Sequence, residues 1–311
     1  MRIALLGANG QLGRSFLRDG GLAALGTLFP VCRNGQLIDG GEGEAGDLTS
    51  PCHLCELLDR LRPDVIVNAA AYTAVDKAEL EEGLATQVNG TAVGAIGEWA
   101  ARHHALVVHY STDYVFDGSS QRPYATNAVT SPLGAYGRSK LAGEQALRDS
   151  GAHHLIFRTA WVYAPYGNNF LRTMLRLGAE RDHLKVVADQ HGAPTSTALI
   201  VDGTLIALQR WLAANGVERE ALEGIHHLVA SGATTWHGFA SAIFEQAADA
   251  GLLSCKPDVQ AIGTTDFPTP ARRPAYSVLD NSGFQRQFAV TLPDWDEGLA
   301  QVIRELASKG L

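Results

Sequence analysis

The sequence is poor in cysteine and carries no excess of basic residues. Its four cysteines, Cys32, Cys52, Cys55 and Cys255, are not spaced like the disulfide framework of a small secreted protein. This favours reduced thiols and a cytoplasmic location. Lys and Arg number 25 against 33 Asp and Glu, and this balance argues against a surface that neutralises many phosphates. We therefore expect no nucleic-acid partner, although a single nucleotide ligand is compatible with this charge.

Long apolar runs and repeats are also missing. The N-terminal run, residues 2–7, is far shorter than a membrane span and lacks a small-residue cleavage site, so we interpret it as a buried strand and expect no membrane partner. No fixed-period repeat or low-complexity tract is visible. With 46% hydrophobic residues, the chain of 311 residues can build one large core or two smaller ones.

Candidate metal ligands are too few at the required spacing. Cys52 and Cys55 form a C-x-x-C around His53, but no second pair stands at metal-ligand spacing, so this segment is interpreted as a helix with two small side chains. The adjacent histidines at 103–104 and 153–154 stand near strand starts, where solvated or capping roles are expected. The sequence therefore predicts no metal site.

Apolar runs alternate with helical stretches through the first half of the chain. Residues 2–7, 27–31, 64–70, 105–110 and 154–158 are predicted to be strands, buried on both faces as a parallel sheet requires. The alternation predicts an α/β, Rossmann-type doubly wound parallel sheet. After about residue 160 the pattern loosens into short segments and Pro-rich turns, which favours a smaller C-terminal substrate-binding region.

A glycine-rich turn follows the first predicted strand and leads into a helix. In G-x-x-G-x-x-G, Gly7 permits the tight turn, Gly10 lets backbone N–H groups approach a pyrophosphate, and Gly13 allows close packing of helix on strand. The alternative interpretation is a tight turn without a ligand. The turn predicts an NADP(H)-binding domain over residues 1–160 with returning segments near 184–230; residues 161–183 and 231–311 would mainly bind substrate.

The end of the second predicted strand bears on cofactor choice. An NAD-preferring site places a carboxylate there against the ribose 2′-hydroxyl, whereas this chain reads Val31-Cys32-Arg33. Arg33 can pair with a 2′-phosphate, so the local charge favours NADPH over NADH. Asp39 could fold back toward the ribose, which leaves NADH as a possible cofactor.

Two segments carry candidate catalytic groups. Tyr136 and Lys140 form a Y-x-x-x-K that places both side chains on one helix face, where the ammonium is expected to lower the pKa of the phenol toward neutral pH. Thr112 follows the fourth strand and can donate a hydrogen bond to a reacting carbonyl oxygen. The alternatives are a surface pair for Tyr136 and Lys140, and a capping role for Thr112.

Together with these motifs, longer stretches of the chain resemble the dTDP-4-dehydrorhamnose reductases, a family within the extended short-chain dehydrogenase/reductase superfamily. The glycine turn and Y-x-x-x-K are typical of the whole superfamily, whereas the alanine-rich stretch and the Thr-Trp segment are specific to the family. The resemblance lies in residues 62–79, 111–116, 136–144, 157–163, 167–170, 192–195, 227–230 and 268–274.

The resemblance implies an activity, the reduction of the C4 ketone of dTDP-4-dehydro-L-rhamnose by NADPH, the last step of dTDP-L-rhamnose synthesis for polymers such as the O-antigen of lipopolysaccharide. Tyr136 would protonate the oxygen, Lys140 would tune Tyr136 and bind the nicotinamide ribose, and Thr112 would assist. The remaining implied contacts are to the pyrophosphate (Gly10, Gln11, Leu12), the adenine (Asp47, Leu48), the cofactor channel (Ala69, Ala70, Ala71) and the dTDP-sugar (Thr112, Asp113, Trp161). Core packing is the alternative for Trp161.

The chain departs from the family pattern at one reported metal site. Some enterobacterial members bind magnesium through glutamates at a dimer interface, and the corresponding positions here resemble Ser15 and Ala198, with Asp296 or Glu297 near the third. We therefore expect no shared magnesium, and a monomer or weak homodimer.

Two rival functions stay open on sequence grounds. A non-catalytic nucleotide-binding regulatory subunit could keep the fold, although this chain retains Thr112, Tyr136, Lys140 and Trp161 together. A nucleotide-sugar epimerase or dehydratase is the nearer rival, since a dehydratase needs an additional acid-base carboxylate and Asp113 is adjacent to Thr112.

Overall fold

The computed structural model describes residues 1–309. Its strands are β1 (Arg2–Leu6), β2 (Thr27–Cys32), β3 (Glu44–Ala45), β4 (Val65–Asn68), β5 (Leu106–Thr112), β6 (His153–Thr159), β7 (Val162–Tyr163), β8 (His183–Val187), β9 (His191–Gly192), β10 (Thr195–Ser196), β11 (Gly224–His227), β12 (Thr234–Thr235) and β13 (Asp258–Ile262). Its α-helices are α1 (Gln11–Asp19), α2 (Gly21–Leu25), α3 (Pro51–Leu61), α4 (Val75–Ala78), α5 (Glu82–Thr86), α6 (Ala92–His103), α7 (Ala135–Asp149), α8 (Phe170–Glu180), α9 (Thr197–Ala213), α10 (Gly216–Leu222), α11 (Trp236–Asp249), α12 (Ser282–Phe288) and α13 (Trp295–Lys309).

The central sheet has seven parallel strands in the order β11-β6-β5-β4-β1-β2-β3. The chain thus winds outward from β1 in both directions, which confirms the predicted doubly wound architecture. All five predicted strands are present. Two edge strands, β3 and β11, were not predicted, because β3 has two residues and β11 contains two histidines where an apolar run was sought.

Both faces of this sheet are buried, as near-continuous apolar strands require. On one face, side chains such as Leu5 and Val67 pack against α9, and on the other, Leu6 and Ile66 pack against α3 and α6. Burying each such side chain is worth about 1.5–3 kcal/mol relative to leaving it exposed. The sheet is therefore the rigid base on which the strand-end loops are held.

A separate apolar cluster forms in the second half of the chain. Phe239 and Phe244 of α11, Leu299 and Ile303 of α13, and Leu184 of β8 are all buried in it, together with residues of α8. Three two-stranded sheets, β7-β10, β9-β12 and β8-β13, join segments that are distant in sequence. Such short pairings account for the loose pattern seen after residue 160.

The remaining structural expectations concern the cysteine and histidine pairs and membrane spans. Cys52 and Cys55 lie on α3, which begins at Pro51, a favoured first helical residue, and both are free thiols. His104 follows the last residue of α6 as its C-cap, in a left-handed conformation with its backbone N–H donated to the Ala100 carbonyl, which confirms the capping role. No helix of residues 1–309 combines the length and apolarity that a bilayer crossing needs.

Candidate active site

A cleft of about 630 Å³ opens where the central strands end. The cleft is lined by residues at the strand ends: Gly7 after β1, Arg33 after β2, Ala69 after β4 and Thr112 at the end of β5. This edge of a doubly wound sheet is where ligands bind. Of the predicted site residues, only Gly13 is not part of the lining; the cleft brings together Gly7, Gly10, Gln11, Leu12, Arg33, Asp47, Leu48, Ala69, Ala70, Ala71, Thr112, Asp113, Tyr136, Lys140 and Trp161.

The glycine turn is shaped by close backbone contacts. Gly7 has φ +81°, and a Cβ there would lie 2.6 Å from the backbone N of Ala70. A Cβ on Gly13 would lie 2.1 Å from the carbonyl O of Gly7, so Gly13 packs behind the turn and does not face the cleft. Gly10 precedes α1, whose first N–H groups therefore point toward the cleft. This cradle has the geometry that a pyrophosphate needs.

One end of the cleft carries Arg33 and Asp47. The Arg33 side chain is 82% exposed and its Nε lies 3.6 Å from Oδ2 of Asp47, so the guanidinium can reorient. Asp39, the carboxylate that could have turned toward the ribose, is instead bound by Arg14 at 2.6 Å and by Arg18 at 3.2 Å. These guanidiniums lower the pKa of Asp39 to about 2. The charge at this end thus fits an anionic ribose phosphate.

Tyr136, Lys140 and Thr112 meet near the middle of the cleft. Tyr136 and Lys140 lie one turn apart on α7, and Thr112 ends β5 beside them. The Thr112 hydroxyl accepts from the backbone N–H of Tyr114 at 3.2 Å and also interacts with the Tyr136 hydroxyl. Thr112 therefore caps the turn after β5, as in the alternative interpretation, while it also lies at the candidate catalytic group.

Burial shifts the pKa values of both Tyr136 and Lys140. Burial raises the pKa of Tyr136 to about 12, although the hydrogen bond with Thr112 acts in the opposite direction. Burial also lowers the pKa of Lys140 to about 8. Burial thus acts against the expected lowering of the phenol pKa by Lys140, because desolvation penalises the charged forms of both groups. Tyr136 is held as a neutral phenol, the protonated form that a proton donor needs.

Asp113 lies beside Thr112 and is 2% exposed. The Thr112 hydroxyl donates to its Oδ1 at 3.0 Å. Burial raises the pKa of Asp113 to about 6, so the carboxyl group is protonated below that pH. It offers the cleft a hydrogen-bonding group next to the candidate catalytic residues.

The other end of the cleft contains two stacked indoles, one of which sequence reasoning missed. Trp161 and Trp236 have ring centroids 3.6 Å apart and planes within 4°. Trp161 has φ +48°, a left-handed conformation that is uncommon for a bulky residue, and a Cβ on Gly192 would lie 2.4 Å from its ring. Trp161 therefore both packs and lines the cleft. Trp236 begins α11, and no motif marked it.

Two further contacts join distant segments around the cleft. Arg273 donates to both Asp76 oxygens, at 3.0 and 2.8 Å, and so ties the segment after β4 to the Pro-rich segment near residue 270. Asn169 donates to Gln11 Oε1 at 2.7 Å, which joins the start of α8 to the glycine turn. Both polar pairs went unrecognised because sequence spacing does not reveal partners 158 or 197 residues apart.

The positions related to a shared magnesium site do not fit the metal. Ser15 is buried, and its hydroxyl contacts the Gln11 carbonyl at 3.1 Å and the Tyr166 hydroxyl at 2.5 Å. Ala198, which lines the same small cavity, has no donor atom. Within residues 1–309, no group of three or more His, Cys, Asp or Glu side chains is arranged to hold a metal.

The doubly wound sheet, the glycine cradle and the Thr-Tyr-Lys set define a nucleotide-binding oxidoreductase of the short-chain dehydrogenase/reductase type. Comparison with known proteins narrows this class. The family model described as RmlD substrate binding domain matches residues 1–308, and the chain belongs to this family.

Related proteins support the same assignment. The dTDP-4-dehydrorhamnose reductase of Shigella flexneri is 47% identical over 306 residues, which is 98% of each chain. The crystal structure of a dTDP-4-dehydrorhamnose reductase from Clostridium acetobutylicum aligns with TM-score 0.85 and 33% identity, covering 98% of this chain and 99% of that one. The enzyme of that name from Bacillus anthracis, in complex with NADP, gives TM-score 0.84, 32% identity and the same coverage. The family predicted from the sequence is confirmed.

Proposed function

We propose that this protein reduces the C4 ketone of dTDP-4-dehydro-L-rhamnose to give dTDP-L-rhamnose, with NADPH as the hydride donor. The observation that carries the proposal is one cleft that contains both the glycine cradle and the Thr112-Tyr136-Lys140 set, in a chain of the matching family. Residues that the resemblance implied for the cofactor and for the sugar line this same cleft.

The cofactor would lie along the strand ends and supply a hydride. The Gly10, Gln11 and Leu12 backbone would hold its pyrophosphate, and Arg33 its 2′-phosphate. Asp47 and Leu48 would lie by the adenine; Ala69, Ala70 and Ala71 would line the channel. NADH would bind less well, since it has no phosphate for Arg33 to pair with.

Side chains of the protein would then orient the ketone of the sugar and supply the proton. Thr112 would turn its hydroxyl proton from Asp113 to the ketone oxygen and direct that oxygen toward Tyr136, whose neutral phenol would give its proton to the alkoxide. Lys140 would hold the nicotinamide ribose and stabilise negative charge as it develops on Tyr136. Asp113 would hydrogen-bond a sugar hydroxyl, and Trp161 would offer the sugar nucleotide a flat apolar face.

The same function implies a location, an oligomeric state and a division of the chain into two binding regions. We place it in the cytoplasm, as a monomer or weak homodimer that supplies rhamnose for surface polymers such as O-antigen. Residues 1–160 with segments near 184–230 would bind NADP(H), while 161–183 and 231–311 would mainly bind the sugar. The separate apolar cluster of α8, α11 and α13 supports this division.

The first test follows NADPH absorbance with dTDP-4-dehydro-L-rhamnose for the native chain and for Tyr136→Phe. We expect rapid oxidation by the native protein and a loss of about 10²–10⁴-fold in the variant, the usual contribution of a positioned proton donor. NADPH binding by Tyr136→Phe, measured by calorimetry, is the control and should be retained.

Other outcomes of this assay favour the rivals. A folded native protein that binds NADPH without oxidising it with this sugar would contradict the proposal and favour a regulatory subunit. Release of water from a dTDP-hexose would favour a dehydratase in which Asp113 acts as the acid.

A further inference from the structure

Both faces of the Trp161 indole are covered in the structure. On one side Trp236 lies parallel to it with ring centroids 3.6 Å apart, which leaves no room for another group on that face. On the other side lies Gly192: a Cβ built on it would approach Cε2 of Trp161 most closely, with Nε1 at 2.6 Å and Cζ2 at 2.7 Å. A group at the rim of the ring would meet Nε1 or Cζ2 before Cε2, which lies between them. Gly192 therefore stands over the second face.

The two covers differ in how freely they can move. Gly192 belongs to β9, whose backbone pairs with β12, and the Trp161 carbonyl accepts from the Thr195 N–H at 3.3 Å, so both residues are held by the main chain. Trp236 is the first residue of α11, and its half-buried indole makes ring contacts with Trp161 and with Phe170, whose centroid is 4.6 Å away. Its ring can therefore turn about the side-chain bonds without a change in the backbone.

We propose that Trp236 determines the affinity for the sugar nucleotide by competing with the sugar for a face of Trp161. The role proposed above for Trp161 needs one free ring face, and of the two covers Trp236 is the one that a side-chain rotation can clear. Binding would then break one indole stack and form one contact between Trp161 and the sugar. The inference rests on the proposed function, which supplies the sugar nucleotide as the ligand.

The size of this competition follows from the strength of one aromatic pair. A contact of this kind changes an equilibrium about threefold to tenfold beyond the effect of the apolar area that it buries. The open arrangement, with Trp236 turned away, would then make up about one-tenth of the protein when no nucleotide is added. The sugar would bind this minor form, and its apparent affinity would be lower by the same factor.

The first test measures binding of dTDP-L-rhamnose, the product of the proposed reaction, by calorimetry in the presence of NADP⁺. We expect Trp236→Ala to bind it about threefold to tenfold more tightly than the native protein, because no stack has to be broken. Trp236→Phe, which keeps a smaller ring, should lie between them. Weaker binding by Trp236→Ala would mean that the sugar rests on Trp236 itself, and unchanged binding that the ring does not move; either result would overturn the proposal.

Trp295→Ala is the matched control for this measurement. Trp295 also begins a helix, α13, and packs against the same apolar cluster, but it is not part of the cleft lining. Its loss should leave the dissociation constant of dTDP-L-rhamnose unchanged. An equal gain in affinity in both alanine variants would show that loosening of the cluster, and not the stack, controls binding, and would contradict the proposal.

The second test needs no sugar. Fluorine nuclear magnetic resonance of the native protein labelled with 5-fluorotryptophan gives one signal for each of its five tryptophans, which single substitutions assign. In relaxation dispersion we expect microsecond-to-millisecond exchange at Trp236 and none at Trp99, which is 1% exposed. A Trp236 signal as free of exchange as that of Trp99 would overturn the competition even if the sugar is reduced. Exchange at Trp236 in a protein that does not bind dTDP-L-rhamnose would instead contradict the proposed function, and with it the sugar as the competitor.

Discussion

Single side chains in the cleft perform two tasks at once. Thr112 caps the turn after β5 and also touches Tyr136, while Trp161 packs against Trp236 and also lines the cleft. The alternatives left open by the sequence were therefore not exclusive. A residue that is fixed by packing or capping presents its remaining polar atom or ring face in one orientation, which is what a binding site requires.

Arg33 supports a prediction at the residue scale about cofactor choice. Arg33→Ala should raise KM for NADPH about fivefold and leave KM for NADH unchanged, because an exposed ion pair contributes only about 1 kcal/mol. Steady-state kinetics with both cofactors measure this. The matched control is Arg60→Ala, which removes a surface pair with Glu44 outside the cleft. Equal changes in both KM values would mean that Arg33 does not recognise the 2′-phosphate.

The predictability of site residues depended on whether a motif marked them. The glycine turn, Thr112, Tyr136 and Lys140 stood in patterns whose chemistry is known, and the structure places them together. Trp236 stood in no pattern, since a tryptophan at a helix start has many ordinary uses. Its place in the cleft depends on Trp161, a neighbour that only the tertiary structure supplies.

At the scale of elements, α7 is anchored to the sheet by a buried ion pair. Glu144 accepts from Arg158 Nε at 2.9 Å and Nη2 at 2.7 Å, and it also accepts from Ser111 at 2.5 Å. Both charged side chains are at most 3% exposed. This pair joins the helix of Tyr136 to β5 and β6, and so fixes its distance from Thr112.

Breaking this anchor should be costly. Glu144→Gln leaves the Arg158 charge buried without a counter-ion, which typically destabilises a protein by about 3–5 kcal/mol. Urea unfolding measures the effect. The matched control is Arg138→Gln on the same helix, where the ion pair with Glu82 is exposed and its loss should cost less than about 1 kcal/mol. Similar losses for both variants would show that burial does not set the strength of the anchor.

Strands could be predicted from the sequence where their burial requires a continuous run of apolar residues. Four of the five predicted strands, β1, β4, β5 and β6, are buried along most of their length, and β2 is half-buried over Leu28–Pro30 but still apolar, so their sequence alone marks them. The pairs β7-β10 and β9-β12 were not predicted, because two-residue strands have no measurable period and depend on partners far along the chain.

At the scale of the whole molecule, the prediction concerns assembly. We expect a monomer or weak homodimer without shared magnesium, because Ser15 and Ala198 offer no carboxylate. Metal analysis of the purified protein and sedimentation with and without a chelator measure this. Stoichiometric magnesium, or a dimer that dissociates on chelation, would contradict it.

The stacked indoles of Trp161 and Trp236 also give the protein an optical property that does not depend on catalysis. Two parallel indole rings with centroids 3.6 Å apart are close enough for their electronic transitions to couple, so we expect a circular dichroism signal that separate tryptophans lack. Because the pair lines the cleft, a sugar nucleotide that changes its spacing also changes that signal. The protein thus carries a built-in optical reporter at one end of its cleft.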